Sequence, residues 1–274
     1  MTTPDPRLQA LLADLAAEGD ALRDHVAGLD ADGWRRPTPA AGWDIATQVA
    51  HLAWTDEVAA LAAGAHTASG KEAWDAVVLQ AMADPTGFVD AEALRIGALP
   101  AAELLARWDA ARAALGPALA AVPAGERMPW FGPPMAPVSM ATARFMETWA
   151  HALDVYEALG EPAAASRART GDRIRHVVHI GVRTRDFAFS VQGLPAPAEE
   201  FRIELTAPSG EVWSFGPDDA AQRVTGSAWD FCLLSTQRVH RSDTDLVAVG
   251  ADADRWLDIA QCFAGPAGEG RSAR

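Results

Sequence analysis

Four stretches within the first 160 or so residues carry apolar side chains at every third or fourth position. That period commits a chain to amphipathic helices that must bury one face against each other. The first stretch runs from about Arg7 to Leu29, with Leu8, Leu11, Leu12, Leu15, Leu22, Val26 and Leu29 on its apolar side, after a proline-containing start that suits a helix N-terminus. Residues 33–43, GWRRPTPAAGW, read as a loop. Asp44 then stands where it can cap a second helix reaching about Ala63. Between residues 64 and 99 the pattern supports only short helices, about Glu72 to Met82 and Val89 to Ile96, separated at Asp84-Pro85. From Pro100 the period returns, and Leu104, Leu105, Trp108, Ala111, Leu115 and Leu119 form one stripe. A proline-rich connector leads to a fourth helix framed by Ser139 and Gly160. Four such helices make a bundle.

After Glu161-Pro162 the pattern changes. A helix from about Gly171 to Phe187 precedes FRIELTAP and EVWSFG, two alternating runs joined by a turn at Ser209-Gly210, which read as a β-hairpin. AQRVTGSA offers a third strand, and AWDFCLLSTQ and ADRWLDIAQCFAG read as helices. The expected fold class is therefore α+β, mainly α. It comprises a four-helix bundle over residues 1–162, a small α+β domain over 163–265, and a disordered tail over 266–274.

Charge narrows the partners. Lys plus Arg number 23 against 37 Asp plus Glu, a formal charge of −14, so nucleic-acid backbones and anionic membranes are repelled. Cys232 and Cys262 show no CxxC or other metal spacing and read as buried thiols of a reducing compartment. The acidic start lacks a signal peptide's basic region, and no run of about 18 apolar residues offers a membrane span. A cytoplasmic monomer or homodimer acting on small molecules is the expectation.

The histidines carry the chemistry. Glu147 and His151 are four apart, which stacks a carboxylate and an imidazole on one helical face. His51 sits in the apolar helical stretch VAHLAW, where a free imidazole would be poorly solvated. A His, Glu, His set leaves a coordination position open for water or substrate, as catalytic zinc requires. Taken singly, each feature has a plainer reading: a core histidine bonded to a carbonyl, or an exposed helical pair. Asp154, one turn past His151, could support a ligand imidazole or pair with an arginine. Arg144 could pair with Glu147 or orient it. His176 and His179 are a weaker metal candidate on a polar face. Arg238, His240 and Arg241 form a basic cluster able to hold an anionic group. Trp34, Trp43, Trp54, Trp130 and Trp149 fall near these elements, as pocket wall or core.

Gly42-Trp43-Asp44 leading to His51-Leu52, followed by Arg144, Glu147, His151 and Asp154, resembles the N-terminal domain of mycothiol-dependent maleylpyruvate isomerase and the wider DinB-like superfamily. VTGSAWDFCLLSTQRVHR and LVAVGADADRWLDIAQCFAG resemble the α+β extension of that isomerase's relatives. The resemblance implies a DinB-like up-down-down-up bundle holding a divalent metal, usually zinc, at His51, Glu147 and His151. It also implies a low-molecular-weight thiol such as mycothiol, bacillithiol or glutathione. On that basis the expected activity is a metal-dependent, thiol-using transferase or isomerase acting on a small electrophile, with mycothiol as co-substrate. Asp154 and Arg238 would be catalytic, and Arg238, His240 and Arg241 would bind the thiol's polar body. Two alternatives stay open. One is a hydrolase or lyase using water at the same metal, with Asp154 or Asp44 as base. The other is a non-catalytic protein that binds a metal or a small molecule.

Overall fold

The computed structural model describes residues 5–268 and 270–274. The chain divides into two compact units, Met1–Pro162 and Ala163–Arg274.

In the first unit the long helices are α1 (Pro6–Val26), α3 (Ile45–Gly64), α6 (Ala101–Ala121) and α7 (Pro137–Ala158), with short α2 (Ala31–Trp34), α4 (Ala68–Ala83) and α5 (Phe88–Gly97) between them. Local chemistry sets their ends. Asp5 accepts from the Arg7 amide and Pro6 occupies the first turn, where no amide hydrogen is needed. α1 stops at Val26, short of Leu29, because Asp30 already caps α2. Pro137 likewise opens α7 two residues before Ser139. Before α3 the loop folds back on itself: Thr38 donates its amide to the Trp43 carbonyl, and Gly42 takes φ +78°, open to glycine at no steric cost. α1 packs on α7, α7 on α3 and α3 on α6. The closing contact between α6 and α1 is thin, and a cavity of about 360 Å³ lies there with Leu12, Leu15 and Arg112 in its walls and Asp56 and Thr148 at its inner end. Burial of Leu22, Val26, Ile45, Leu52, Trp108, Leu115, Phe145 and Trp149 supplies the core, at about 25 cal/mol per Å² of apolar surface removed from water.

The second unit is a four-stranded sheet with helices. β1 (Arg202–Thr206) pairs antiparallel with β2 (Val212–Phe215) through the expected hairpin, whose Gly210 has φ +91°. β3 (Arg223–Ser227) pairs parallel with β1, and a further short strand, β4 (Val247–Val249), closes the order β2-β1-β3-β4. α11 (Ala228–Ser235) and α12 (Ala251–Ile259) match the two expected helices. The single helix expected over Gly171 to Phe187 is instead a 3-10 turn (Gly171–Ile174), α9 (Arg175–Arg183) and α10 (Arg185–Val191), preceded by α8 (Ala163–Thr170). The break falls at Thr184, whose hydroxyl donates back to the Ile180 and Gly181 carbonyls while its backbone leaves helical values. Beyond residue 263 the described chain has no helix or strand, yet it packs on this unit: the Gln261 side-chain amide donates to the Phe263, Gly265 and Pro266 carbonyls, and Gly268, Gly270 and Arg271 line a cavity. Glu269 lies outside the described residues.

The architecture is mainly α within the α+β class. Among the described residues no helix is long and apolar enough to cross a membrane.

Candidate metal centre

α3 is apolar over most of its surface, and three of its polar side chains, Gln48, His51 and Asp56, face partners on α7. Gln48 meets His151, His51 meets Glu147, and Asp56 meets Arg144. As the α3 number rises, the α7 number falls, so the two helices run antiparallel with one continuous register and three polar rungs.

The middle rung is the site. Glu147 Oε2 lies 3.1 Å from His151 Nε2 and 3.4 Å from His51 Nε2. One donor atom from each of the three residues falls within 4.8 Å of the others, which makes this a group that could hold a metal ion. Metal–ligand bonds of about 2.0 to 2.2 Å in a tetrahedral site place neighbouring donor atoms about 3.3 to 3.5 Å apart, so the observed spacings suit one divalent ion. Glu147 keeps 22% of its side-chain surface exposed, against 9% for His51 and 13% for His151, which leaves an approach for a small ligand on the carboxylate's side. Burial alone would raise the Glu147 carboxyl, but hydrogen bonds from His151 and His51 outweigh it and hold the group well below the ordinary carboxylate range. It is therefore ionised and ready to bind a cation.

Gln48 is the residue that sequence reasoning missed. It is fully buried, with its Oε1 2.5 Å from His151 Nδ1 and its Nε2 donating to Thr38 Oγ1 at 2.8 Å. The pairing puts the imidazole hydrogen on Nδ1 and frees the Nε2 lone pair for a metal. Its signal was a polar residue one turn before His51 in a mostly apolar helix. Gln48 thus supports the His151 imidazole at Nδ1. Asp154 itself is buried in α7. His51 Nδ1 is buried with no hydrogen-bond partner among the described residues.

Arg144 does not pair with Glu147. Its Nε donates to Asp56 Oδ1 at 2.8 Å, with both side chains 3% exposed. Glu147 is already engaged by two imidazoles, and the cross-helix carboxylate is the partner left for the guanidinium. Burial raises the Asp56 carboxyl against the pull of Arg144. Asp44, the other candidate base, is spent on structure: Oδ1 accepts from the Thr47 amide and hydroxyl, and Oδ2 accepts from Arg35. Trp43 stacks on His151 with ring centres 5.8 Å apart and stands 5.3 Å from His51, while Trp54 lies 6.5 Å from His51 on another side. Trp34 and Trp149 are core, and Trp130 stacks on Trp74.

In the second unit Arg241 is paired with Asp254 and Asp258. Arg238 donates to the Thr236 carbonyl, and His240 bonds Ser242 at a 3-10 turn. A cavity of about 540 Å³ is lined by Gln237, His240, Arg241, Ser242, Asp258 and Arg271, among others. His176 and His179 join no three-residue ligand cluster among the described residues. Cys232 and Cys262 are buried and unbridged, and burial pushes the Cys232 thiol well up.

The helical bundle and its central His, Glu, His cluster define a candidate metal-binding bundle protein. The family model for the mycothiol maleylpyruvate isomerase N-terminal domain matches residues 15–156, over half of the chain, and the chain belongs to that family. A second family model, described as wyosine base formation, matches residues 197–249, the stretch that carries all four strands. Two uncharacterized proteins of Mycobacterium tuberculosis, from strains CDC 1551 / Oshkosh and ATCC 25618 / H37Rv, are each 52% identical over 271 residues, covering 99% of this chain and all of theirs. Among solved structures, mycothiol-dependent maleylpyruvate isomerase and a histidine-to-alanine mutant of it superpose with TM-scores of 0.57, at 14% and 15% identity, over 88% of this chain and 92% of theirs. At that identity the likeness is one of fold.

Proposed function

We propose that this chain is a metal-dependent, thiol-using transferase or isomerase that acts on a small electrophilic metabolite, with mycothiol as co-substrate and zinc as the ion. The observation that carries the reading is the convergence of His51, Glu147 and His151, in a chain of this family, at spacings that suit one divalent ion. When bound, such an ion lowers a thiol's pKa from about 8.5 so that the thiolate nucleophile exists at neutral pH without a dedicated base. The chain's own residues hold and shape that centre. Glu147 supplies the anionic ligand, His51 and His151 the neutral ones, and Gln48 fixes the tautomer of His151. Trp43 covers the imidazoles and limits water around them. Asp154, buried in α7 about one turn beyond His151, is the acid assigned a supporting role beside the centre.

In the second unit, taken by itself, the cluster of Arg238, His240 and Arg241 is assigned the binding of a polar or anionic small-molecule group. Hydrogen bonding, rather than net charge, would do the holding there, since Arg241 is already paired. Engagement of Asp44 as the α3 cap disfavours the version in which water is the nucleophile, because it removes one of the two acids able to serve as base.

The test is thiol consumption by purified protein, metal-loaded and metal-stripped, with mycothiol and a panel of electrophiles. Mycothiol-dependent turnover that vanishes on stripping is expected. Turnover indifferent to the thiol would sink the reading.

A further inference from the structure

We infer that the buried pair of Asp56 and Arg144 is a positioning device for the metal centre: it locks the antiparallel register of α3 against α7 that brings His51 to Glu147 and His151. The inference rests on the proposed metal-dependent function and adds to it a pair of residues outside the ligand set.

The geometry leads there in three steps. First, Asp56 lies five residues after His51 and Arg144 three before Glu147, so the pair bridges the same two helices as the ligands, about one turn away along the seam. Second, part of the seam is lined by small side chains. On the side of α3 that carries Gln48, His51 and Asp56, the buried residues include Ala59, Ala62 and Ala63 beside Leu52, and alanines form shallow ridges. Asp56 and Thr148 line the cavity between α1 and α6, so packing against Asp56 is incomplete on that side. A slip of one turn, about 5.4 Å, would part His51 from Glu147 altogether, and a metal site tolerates only about 0.2 Å in its bond lengths. Third, the pair is a poor stabiliser as such. Both groups are stripped of water, and Arg144 Nη2 is buried with no hydrogen-bond partner. Buried ion pairs of this kind are often matched or exceeded in stability by apolar side chains of similar volume, and their best-attested role is to fix register.

Gln48 with His151 secures one end of the seam, and Asp56 with Arg144 the other. The ligands sit between two fixed rungs.

The experiment uses the full chain and zinc or cobalt(II) alone as probe. In the double variant Asp56→Leu/Arg144→Met neither charge is left stranded. It should keep the helical circular dichroism and the melting temperature of the metal-free protein. Its zinc affinity, measured by chelator competition, should fall by about 10- to 100-fold, the range found when groups that support metal ligands are removed. Its cobalt(II) absorption spectrum should also change, reporting altered ligand geometry. Leu22→Ala is the control for general destabilisation, since it cuts the α1 core away from the seam and should lower the melting temperature without moving zinc affinity or the cobalt spectrum. If the double variant does not fold, Asp56→Asn, equal in size, decides by the same two readouts. A folded variant with wild-type zinc affinity and an unchanged cobalt spectrum overturns the positioning role. Failure of the unaltered protein to take up metal overturns the metal-dependent function instead, and the positioning role with it.

Discussion

Gln48→Met separates a tautomer-fixing role from simple packing. Methionine fills similar volume with an unbranched, adaptable side chain, so the fully buried site neither collapses nor clashes. What disappears is the acceptor 2.5 Å from His151 Nδ1 and the donor to Thr38. Without metal, His151 can respond by moving its hydrogen to Nε2, where Glu147 Oε2 waits at 3.1 Å, and Nδ1 becomes a lone pair that needs no partner as urgently. The metal-free protein then loses little beyond the Thr38 bond, about 0.5 to 1.5 kcal/mol. With metal on Nε2 that escape closes, because the hydrogen must sit on Nδ1 without the Gln48 acceptor, at a cost of about 1 to 3 kcal/mol. The difference falls on affinity: zinc should bind about 5- to 150-fold more weakly. Gln48→Glu restores an acceptor at the same place and should keep affinity near that of the unaltered protein. Chelator competition for zinc, beside thermal melts of the stripped proteins, reads both quantities. Equal affinities for the Met and Glu variants would refute the tautomer argument, and a large loss of stability in stripped Gln48→Met with no change in affinity would assign the residue to packing.

His51→Ala should abolish tight metal binding while the helical circular dichroism persists, since the apolar stripes hold the bundle; full metal occupancy in elemental analysis of that variant would remove His51 from the site. The lowered Glu147 pKa means that the folded, metal-free protein resists protonation there, so its contribution is present above the ordinary carboxylate value of 4.5 and is lost as pH falls through the lowered value. Stripped Glu147→Gln should therefore show a flatter decline of melting temperature in acid, and an unchanged decline would contradict the assignment. Leu22→Ala, at a fully buried position in α1, should cost about 2 to 5 kcal/mol in denaturant unfolding; a cost under 1 kcal/mol would mean that the α1 face packs loosely.

The parts of this molecule that were legible from sequence are those fixed by short-range rules. Apolar spacing gave the four long helices because each must bury one face, and the separation of Glu147 from His151 stacked the two whatever the rest of the chain did. Where local side-chain chemistry competes with the helical period, spacing misleads: Thr184 bonds its own preceding turn and breaks a run that reads as continuous. Short-range reading also paired Arg144 with Glu147, three residues away, although the guanidinium crosses to Asp56 on another helix. Arg241, read from its neighbours as part of a basic cluster, is paired with two aspartates thirteen and seventeen residues on. The partners of the metal ligands belong to this second kind. Gln48 and Asp56 take their meaning from the register of α3 on α7, which no spacing within either helix encodes. His51, Glu147 and His151 could be singled out from the sequence as a candidate cluster, but the contacts around them became visible only once the two helices were set side by side.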